Sequence, residues 1–257
     1  MIDLLIGNTV LKDIGLIIFD KDGTLFEMYP YWNTIARKRA SRISQVLGID
    51  GIRRYMLEDT IMRSMGVDTG SRCMFSKGPI GIYGRDVVIR EVMGCLKGYG
   101  ISKREIVKCF SDTDADISNG AIHECAFVPI KGIKEFLGTI RYTCKTAIFS
   151  YDQTKNIEFT LGVSGLSDSF DLVVGGDQTP LSKPNPYGAR FIMKQLNISP
   201  ANTIFIGDSI YDMLCGKNAG CKYIIAMMSE VTGDTTVEIS DYNIKDYTEI
   251  AVGEKCH

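Results

Sequence analysis

Leu16-Ile17-Ile18-Phe19, followed at once by Asp20-Lys21-Asp22-Gly23-Thr24-Leu25, joins an apolar run to a polar turn. Four apolar residues without polar alternation predict a strand buried on both faces, as in a parallel sheet covered by helices. The two aspartates fall two positions apart, and such residues point to the same side of an extended backbone. Ligands of doubly wound sheets sit at the carboxyl ends of strands, which is where Asp20 and Asp22 stand. Close carboxylates repel and raise one pKa, or else they share a cation. The pair therefore permits one charged nucleophile or metal ligand beside one protonated acid.

Outward from this segment, similar apolar runs recur at 145–150, 171–175, 202–207 and 222–227. Helical patterns lie between them. Ile133, Phe136, Leu137 and Ile140 share one helix face. Asn185-Pro186 reads as a cap followed by proline at the first helical position, and Gly220 closes a segment that begins near Ser209. Alternating strands and helices predict an α/β fold, a doubly wound, Rossmann-like parallel sheet. Ile2–Ile6 and Thr9–Lys12 around Gly7-Asn8 predict a β-hairpin within residues 1–13. The tail beyond 229 carries one short apolar patch, Tyr242–Ile244.

More than a hundred residues separate the first core strand from the second, too many for one crossover. Residues 28–125 have helical patterning. Trp32, Ile35, Ala36, Ile43, Val46 and Leu47 make one apolar stripe, and Ser102 with Glu105 forms a capping box at the start of a helix running toward Asn119-Gly120. The expected organisation is a core of residues 1–27 and 126–257 with a helical insert at 28–125. The insert is mildly basic and the core mildly acidic, which reads as solvated helix faces or as anion steering.

Composition narrows the function classes. The 257 residues are 45% hydrophobic and 23% charged, with net charge -2. These values exclude disorder and leave no basic footprint for nucleic acid. No apolar run approaches the ~20 residues of a membrane span, and no basic leader precedes an apolar core, so a soluble cytoplasmic protein is expected. The eight cysteines include no CxxC pair, which removes zinc ribbons and thioredoxin-like sites. Only His123 and His257 are present and no GxSxG accompanies them, so a Ser-His-Asp hydrolase has no support.

A second acidic pair closes the fourth core strand, Gly207-Asp208-Ser209 followed by Asp212 one helical turn later. Several carboxylates at one sheet edge need a hard cation, and an oxygen-only donor set points to Mg²⁺. Ser150 ends the second core strand and supplies a hydroxyl. Lys183, in Ser182-Lys183-Pro184, offers an ammonium to the carboxylates or to a bound anion.

In order, IIFDKDGTL at 17–25, IFSYD at 148–152, SKP at 182–184 and IGDSIYD at 206–212 resemble the haloacid dehalogenase-like hydrolase superfamily, in its phosphoglycolate-phosphatase-like branch. FVPIKGIKEFL at 127–137 and GKNAGC at 216–221 are similar to its connecting segments. The resemblance implies that Asp20 is a nucleophile forming an aspartyl-phosphate and that Asp22 is the general acid/base. It implies that Ser150 binds the phosphoryl group and that Lys183 stabilises nucleophile and phosphate. Asp20, Asp208 and the backbone carbonyl of Asp22 would hold Mg²⁺, with Asp212 orienting the acidic loop. The insert stands where the family carries its cap. One departure is that Tyr151-Asp152 follows Ser150, where an asparagine is common; Asp152 is expected to face solvent or to alter substrate choice.

Asp22 also discriminates within the resemblance. A departing halide needs no proton, whereas a departing alkoxide does. A phosphatase of a small phosphorylated metabolite, phosphoglycolate-like, is therefore expected. A phosphomutase of the same fold and a non-catalytic phosphate-binding module are the alternatives. Nothing in the sequence names the substrate or the oligomeric state.

Overall fold

The computed structural model describes residues 1–76, 78–80, 83–118 and 126–253. Strands β1 (Ile2–Ile6) and β2 (Thr9–Ile14) form an antiparallel hairpin in which Ile6 pairs with Thr9. Gly7 takes φ 57° at the first turn position, a left-handed conformation that suits glycine in a II′ turn. Strand β3 (Leu16–Phe19) follows, and all four of its side chains are buried.

The chain divides into two compact units, Met28–Phe127 and the combination of Met1–Glu27 with Val128–His257. The first contains α1 (Met28–Val46), α2 (Gly51–Ser64), the short antiparallel strands β4 (Val67–Asp68) and β5 (Cys73–Met74), α3 (Arg85–Cys95) and α4 (Lys103–Ser118). Tyr31, Ile35, Ala36, Ala40 and Ile43 form the buried stripe of α1. Val46 does not belong to it and is exposed. Ser44 turns inward near that end of the helix, its hydroxyl donating to Glu58 at 2.7 Å. Buried Arg39 lies 4.2 Å over the Phe110 ring and pairs with Asp114. The capping box of α4 is present, since Ser102 N–H donates to Glu105 Oε2 at 2.8 Å and Glu105 N–H donates to Ser102 Oγ at 3.3 Å. Asn119-Gly120 and both histidines lie outside the described residues.

Beyond Val128 the elements alternate: α5 (Ile133–Ile140), β6 (Lys145–Phe149), α6 (Thr154–Ser164), β7 (Leu172–Val174), α7 (Tyr187–Leu196), β8 (Thr203–Gly207), α8 (Ile210–Ala219), β9 (Tyr223–Met227), α9 (Asp234–Ile239), β10 (Tyr242–Ile244) and β11 (Ile250–Val252). Six strands make a parallel sheet in the order β10-β9-β8-β3-β6-β7. Leu16 stands opposite both Lys145 and Thr203, which centres β3 between β6 and β8. From β3 the chain builds outward through β6 and β7, then returns to β8 on the other side. That reversal opens a crevice at the carboxyl ends of β3 and β8.

Leu16, Ile18, Phe149, Phe205, Ile192 and Cys215 pack one face of the sheet against α7 and α8. Burial of each large apolar side chain contributes about 1.5–3 kcal/mol. Helix α7 begins at Tyr187, one residue after Pro186, and Asn185 Oδ1 accepts the Tyr187 N–H at 2.9 Å, as a capping asparagine does. Gly220 ends α8 at φ 84°.

The tail does more than its single apolar patch announces. Strand β10 extends the parallel sheet, and β11 pairs antiparallel with β1, enlarging the hairpin to three strands. Tyr247 is buried, stacked on Phe136 and beside Phe19. No helix among the described residues is long and apolar enough to cross a membrane, and their six cysteines are free thiols.

Candidate active site

Asp20 leaves the end of β3 with its N–H donating to the carbonyl of Ile206 at 2.9 Å, which ties it to the end of β8. The following turn closes on itself: Leu25 N–H donates to the Lys21 carbonyl and Gly23 N–H to that of Phe26, both at 2.8 Å. Tyr247 adds a brace from the tail, its hydroxyl donating to the Thr24 carbonyl at 3.0 Å.

Asp208 follows β8, and Asp212 lies in the first turn of α8. A reciprocal capping box orients Asp212: Ser209 N–H donates to its Oδ2 at 3.0 Å, and the Asp212 N–H returns to Ser209 Oγ. Gly207 makes this approach possible, since a Cβ there would stand 2.3 Å from Asp212 Cβ. Asp20, Asp208 and Asp212 are all buried, and each offers a carboxylate oxygen within 4.8 Å of the others'. Lys183, itself buried, donates to Asp20 Oδ1 at 2.6 Å and to Asp212 Oδ1 at 2.5 Å. Its ammonium also lies 5.0 Å from the Tyr151 ring centre, and the Tyr151 hydroxyl donates to the Lys183 carbonyl.

One ammonium thus faces three carboxylates. Burial pushes Asp20 up to about 7, against the pull of Lys183 and with added repulsion from Asp212 and Asp22. Burial likewise holds Asp208 well above the ordinary carboxylate range, and Asp20 and Asp212 push in the same direction. For Lys183, burial opposes the charge, but Asp20 and Asp212 overcome it and raise the pKa.

Asp22 stands apart from the three-carboxylate cluster. Its Oδ1 is 3.2 Å from Lys21 Nζ, and burial raises its pKa while Lys21 works against that. Ser150 is buried at the end of β6, with its Oγ accepting the Asp152 N–H at 3.2 Å. Asp152 neither points freely to solvent nor stands unpaired. Its Oδ2 accepts from Lys21 Nζ at 2.9 Å, and its Oδ1 accepts from Asn156 Nδ2 and Gln153 N–H, both at 2.8 Å.

Sequence reading did not anticipate Lys21 as a partner of Asp152, although both lie in the quoted segments. It also missed Ser229, whose Oγ donates to Asp208 Oδ2 at 2.6 Å, and Thr232, whose hydroxyl reaches the Asp208 carbonyl at 3.0 Å. These hydroxyls follow β9 in a stretch with no motif to mark it.

The sequence profile of haloacid dehalogenase-like hydrolases matches residues 93–226. A phosphoglycolate phosphatase of Neisseria meningitidis is 44% identical over 219 residues, covering 83% of this chain and 80% of that protein. The chain belongs to the haloacid dehalogenase-like hydrolase family. Solved structures give the same fold for the family. One is described as a predicted phosphoglycolate phosphatase of Haemophilus somnus (TM-score 0.69, 17% identity, 93% of this chain and 97% of that one). Another is a candidate beta-phosphoglucomutase of Thermotoga maritima (TM-score 0.64, 21% identity, 90% and 94%). The family profile begins after the Asp20 segment, whereas the Neisseria match spans four-fifths of both chains.

Proposed function

We propose that this hydrolase is a Mg²⁺-dependent phosphatase of a small phosphorylated metabolite, with phosphoglycolate as the first candidate, acting in the cytoplasm. The observation that carries the reading is the placement of Asp20 against Lys183 at 2.6 Å, in a buried cluster with Asp208 and Asp212. The name of the Neisseria relative supports phosphoglycolate, and its 44% identity favours a phosphatase over a phosphomutase.

The donor set fits a divalent cation. With all three buried carboxyl groups ionised, one ammonium would leave two negative charges for a cation to compensate, and the clustered donors are hard oxygens. Asp20, Asp208 and the Asp22 carbonyl would hold Mg²⁺, while Asp212, shared between Lys183 and Ser209, keeps the loop in place. Bound there, the ion would neutralise excess charge and act as a Lewis acid toward a phosphoryl oxygen.

The chain's own groups account for the remaining chemistry. Asp20 attacks phosphorus as a carboxylate, and Lys183 favours that charged form. The ester P–O bond breaks as Asp22 gives its proton to the leaving oxygen. Asp22 then takes a proton from the water that attacks phosphorus of the aspartyl-phosphate, which releases inorganic phosphate and restores Asp20. The Ser150 hydroxyl donates to a phosphoryl oxygen. The Met28–Phe127 unit, inserted directly after the Asp20 loop, is assigned the selection of substrate.

Release of inorganic phosphate from a panel of phosphorylated metabolites tests this reading. Turnover should depend on Mg²⁺, with phosphoglycolate among the better substrates. No phosphate release from any ester, or isomerisation of a sugar phosphate without release, would overturn it.

A further inference from the structure

Lys21 is fully buried, although its side chain carries a charge. A buried ammonium is costly unless opposite charge meets it directly. Lys21 Nζ meets two carboxylates, Asp152 Oδ2 at 2.9 Å and Asp22 Oδ1 at 3.2 Å. The two ends of this bridge differ. Asp152 is held on its other oxygen by Asn156 and by the Gln153 N–H that opens α6, and its carbonyl accepts the Gly176 N–H at 2.8 Å. Asp22 lies in the catalytic turn, two residues beyond Asp20.

A lysine tied to Asp22 alone would follow that carboxylate through its four rotatable bonds. Anchored at Asp152, the ammonium becomes a fixed point for Asp22. An acid that delivers a proton and later withdraws one from water needs such a point, because a displacement of ~1 Å can cost about 10²-fold in rate. The departure at position 152 and the buried charge of Lys21, neither of which has a role in the steps given above, then explain each other.

We propose that Lys21 and Asp152 form a positioning pair that holds Asp22 in place for proton transfer to the leaving oxygen, with Asp152 as the anchor. The proposal rests on the phosphatase reading above. It goes beyond neutralisation of a buried charge, which would leave proton delivery untouched.

The distinction can be read in a leaving-group comparison. Single-turnover phosphoryl transfer to the enzyme is followed by acid quench and intact mass, with phosphoglycolate and with p-nitrophenyl phosphate. The first needs a proton on its leaving oxygen and the second does not. In Asp152→Asn, the ratio of the phosphoglycolate rate to the p-nitrophenyl phosphate rate should fall by roughly 10²-fold, within the range of general-acid catalysis. Lys21→Met/Asp152→Asn removes one charge of each sign, so the net charge of the buried site is unchanged, and should show the same loss, because the pair acts as a unit. An unchanged ratio in folded variants, with both substrates slowed equally, would overturn the positioning role while leaving the phosphatase reading intact. Absence of transfer from either substrate to the wild-type enzyme would overturn both.

Discussion

The hydroxyl of Ser229 donates to Asp208 Oδ2 at 2.6 Å, so a residue beyond β9 fixes the rotation of a carboxylate beyond β8. Groups that orient a ligand's carboxylate typically change metal affinity by about 10–100-fold when removed. Ser229→Ala should therefore raise the half-saturating Mg²⁺ concentration about 10-fold, with kcat at saturating metal little changed. Direct titration with Mn²⁺ followed by electron paramagnetic resonance checks the affinity. Unchanged affinity would mean that Ser229 does not orient this ligand.

Lys183 compensates two buried carboxylates at once. Removing one partner of a buried ion pair costs about 3–5 kcal/mol, because the remaining charge stays desolvated. Lys183→Met should lose that much stability in urea unfolding without metal and should lose phosphate release. Part of the stability should return on adding Mg²⁺. A stable Lys183→Met protein indifferent to metal would contradict the charge balance drawn for the site.

The raised pKa of Asp20 has a consequence for the metal-free protein. Its carboxyl titrates near 3.8 when unfolded and at about 7 when folded. Between those values the folded state binds more protons, so stability is greatest at the acid end and falls as pH rises. In EDTA, the contribution from Asp20 should lower Tm from pH 5 toward pH 7.5, and Mg²⁺ should raise Tm more at the upper pH than at the lower. Thermal unfolding across that range, with Asp20→Asn as the reference, measures the effect. A slope that survives unchanged in Asp20→Asn would assign it to other groups.

Tyr247 ties the tail to the Asp20–Leu25 turn through one hydrogen bond and packs its ring on Phe136. Tyr247→Phe keeps the ring and leaves the Thr24 carbonyl without this donor, a loss of about 1 kcal/mol. Tyr247→Ala also removes the packing and should cost about 3–5 kcal/mol. Equal costs in urea denaturation would contradict this division between hydrogen bond and packing.

The parallel sheet was legible because buried strands such as Leu16–Phe19 and Thr203–Gly207 carry unbroken apolar runs. Strands β10 and β11 were not, since three residues cannot display a period, and β11 pairs with β1 from the other end of the described chain. Likewise, the acids were legible as strand-end motifs, and the structure brings Asp20, Lys183, Asp208 and Asp212 together. The pairing of Asp152 with Lys21 was not legible. Their proximity arises from the pairing of β3 with β6, across 131 positions. Ser229 is a similar case, a single hydroxyl brought to Asp208 by the pairing of β8 with β9.

In the proposed reaction Asp20 accepts the phosphoryl group while Asp22 handles the protons. Rapid acid quench of the Asp22→Asn variant with p-nitrophenyl phosphate, read by intact mass and peptide mapping, tests it most directly. The first step needs no proton for this leaving group, but the second lacks its base. Phosphorylated Asp20 should accumulate, and Asp20→Asn should give no phosphoenzyme. Phosphate found on a serine, or normal turnover by the Asp22→Asn variant, would contradict it.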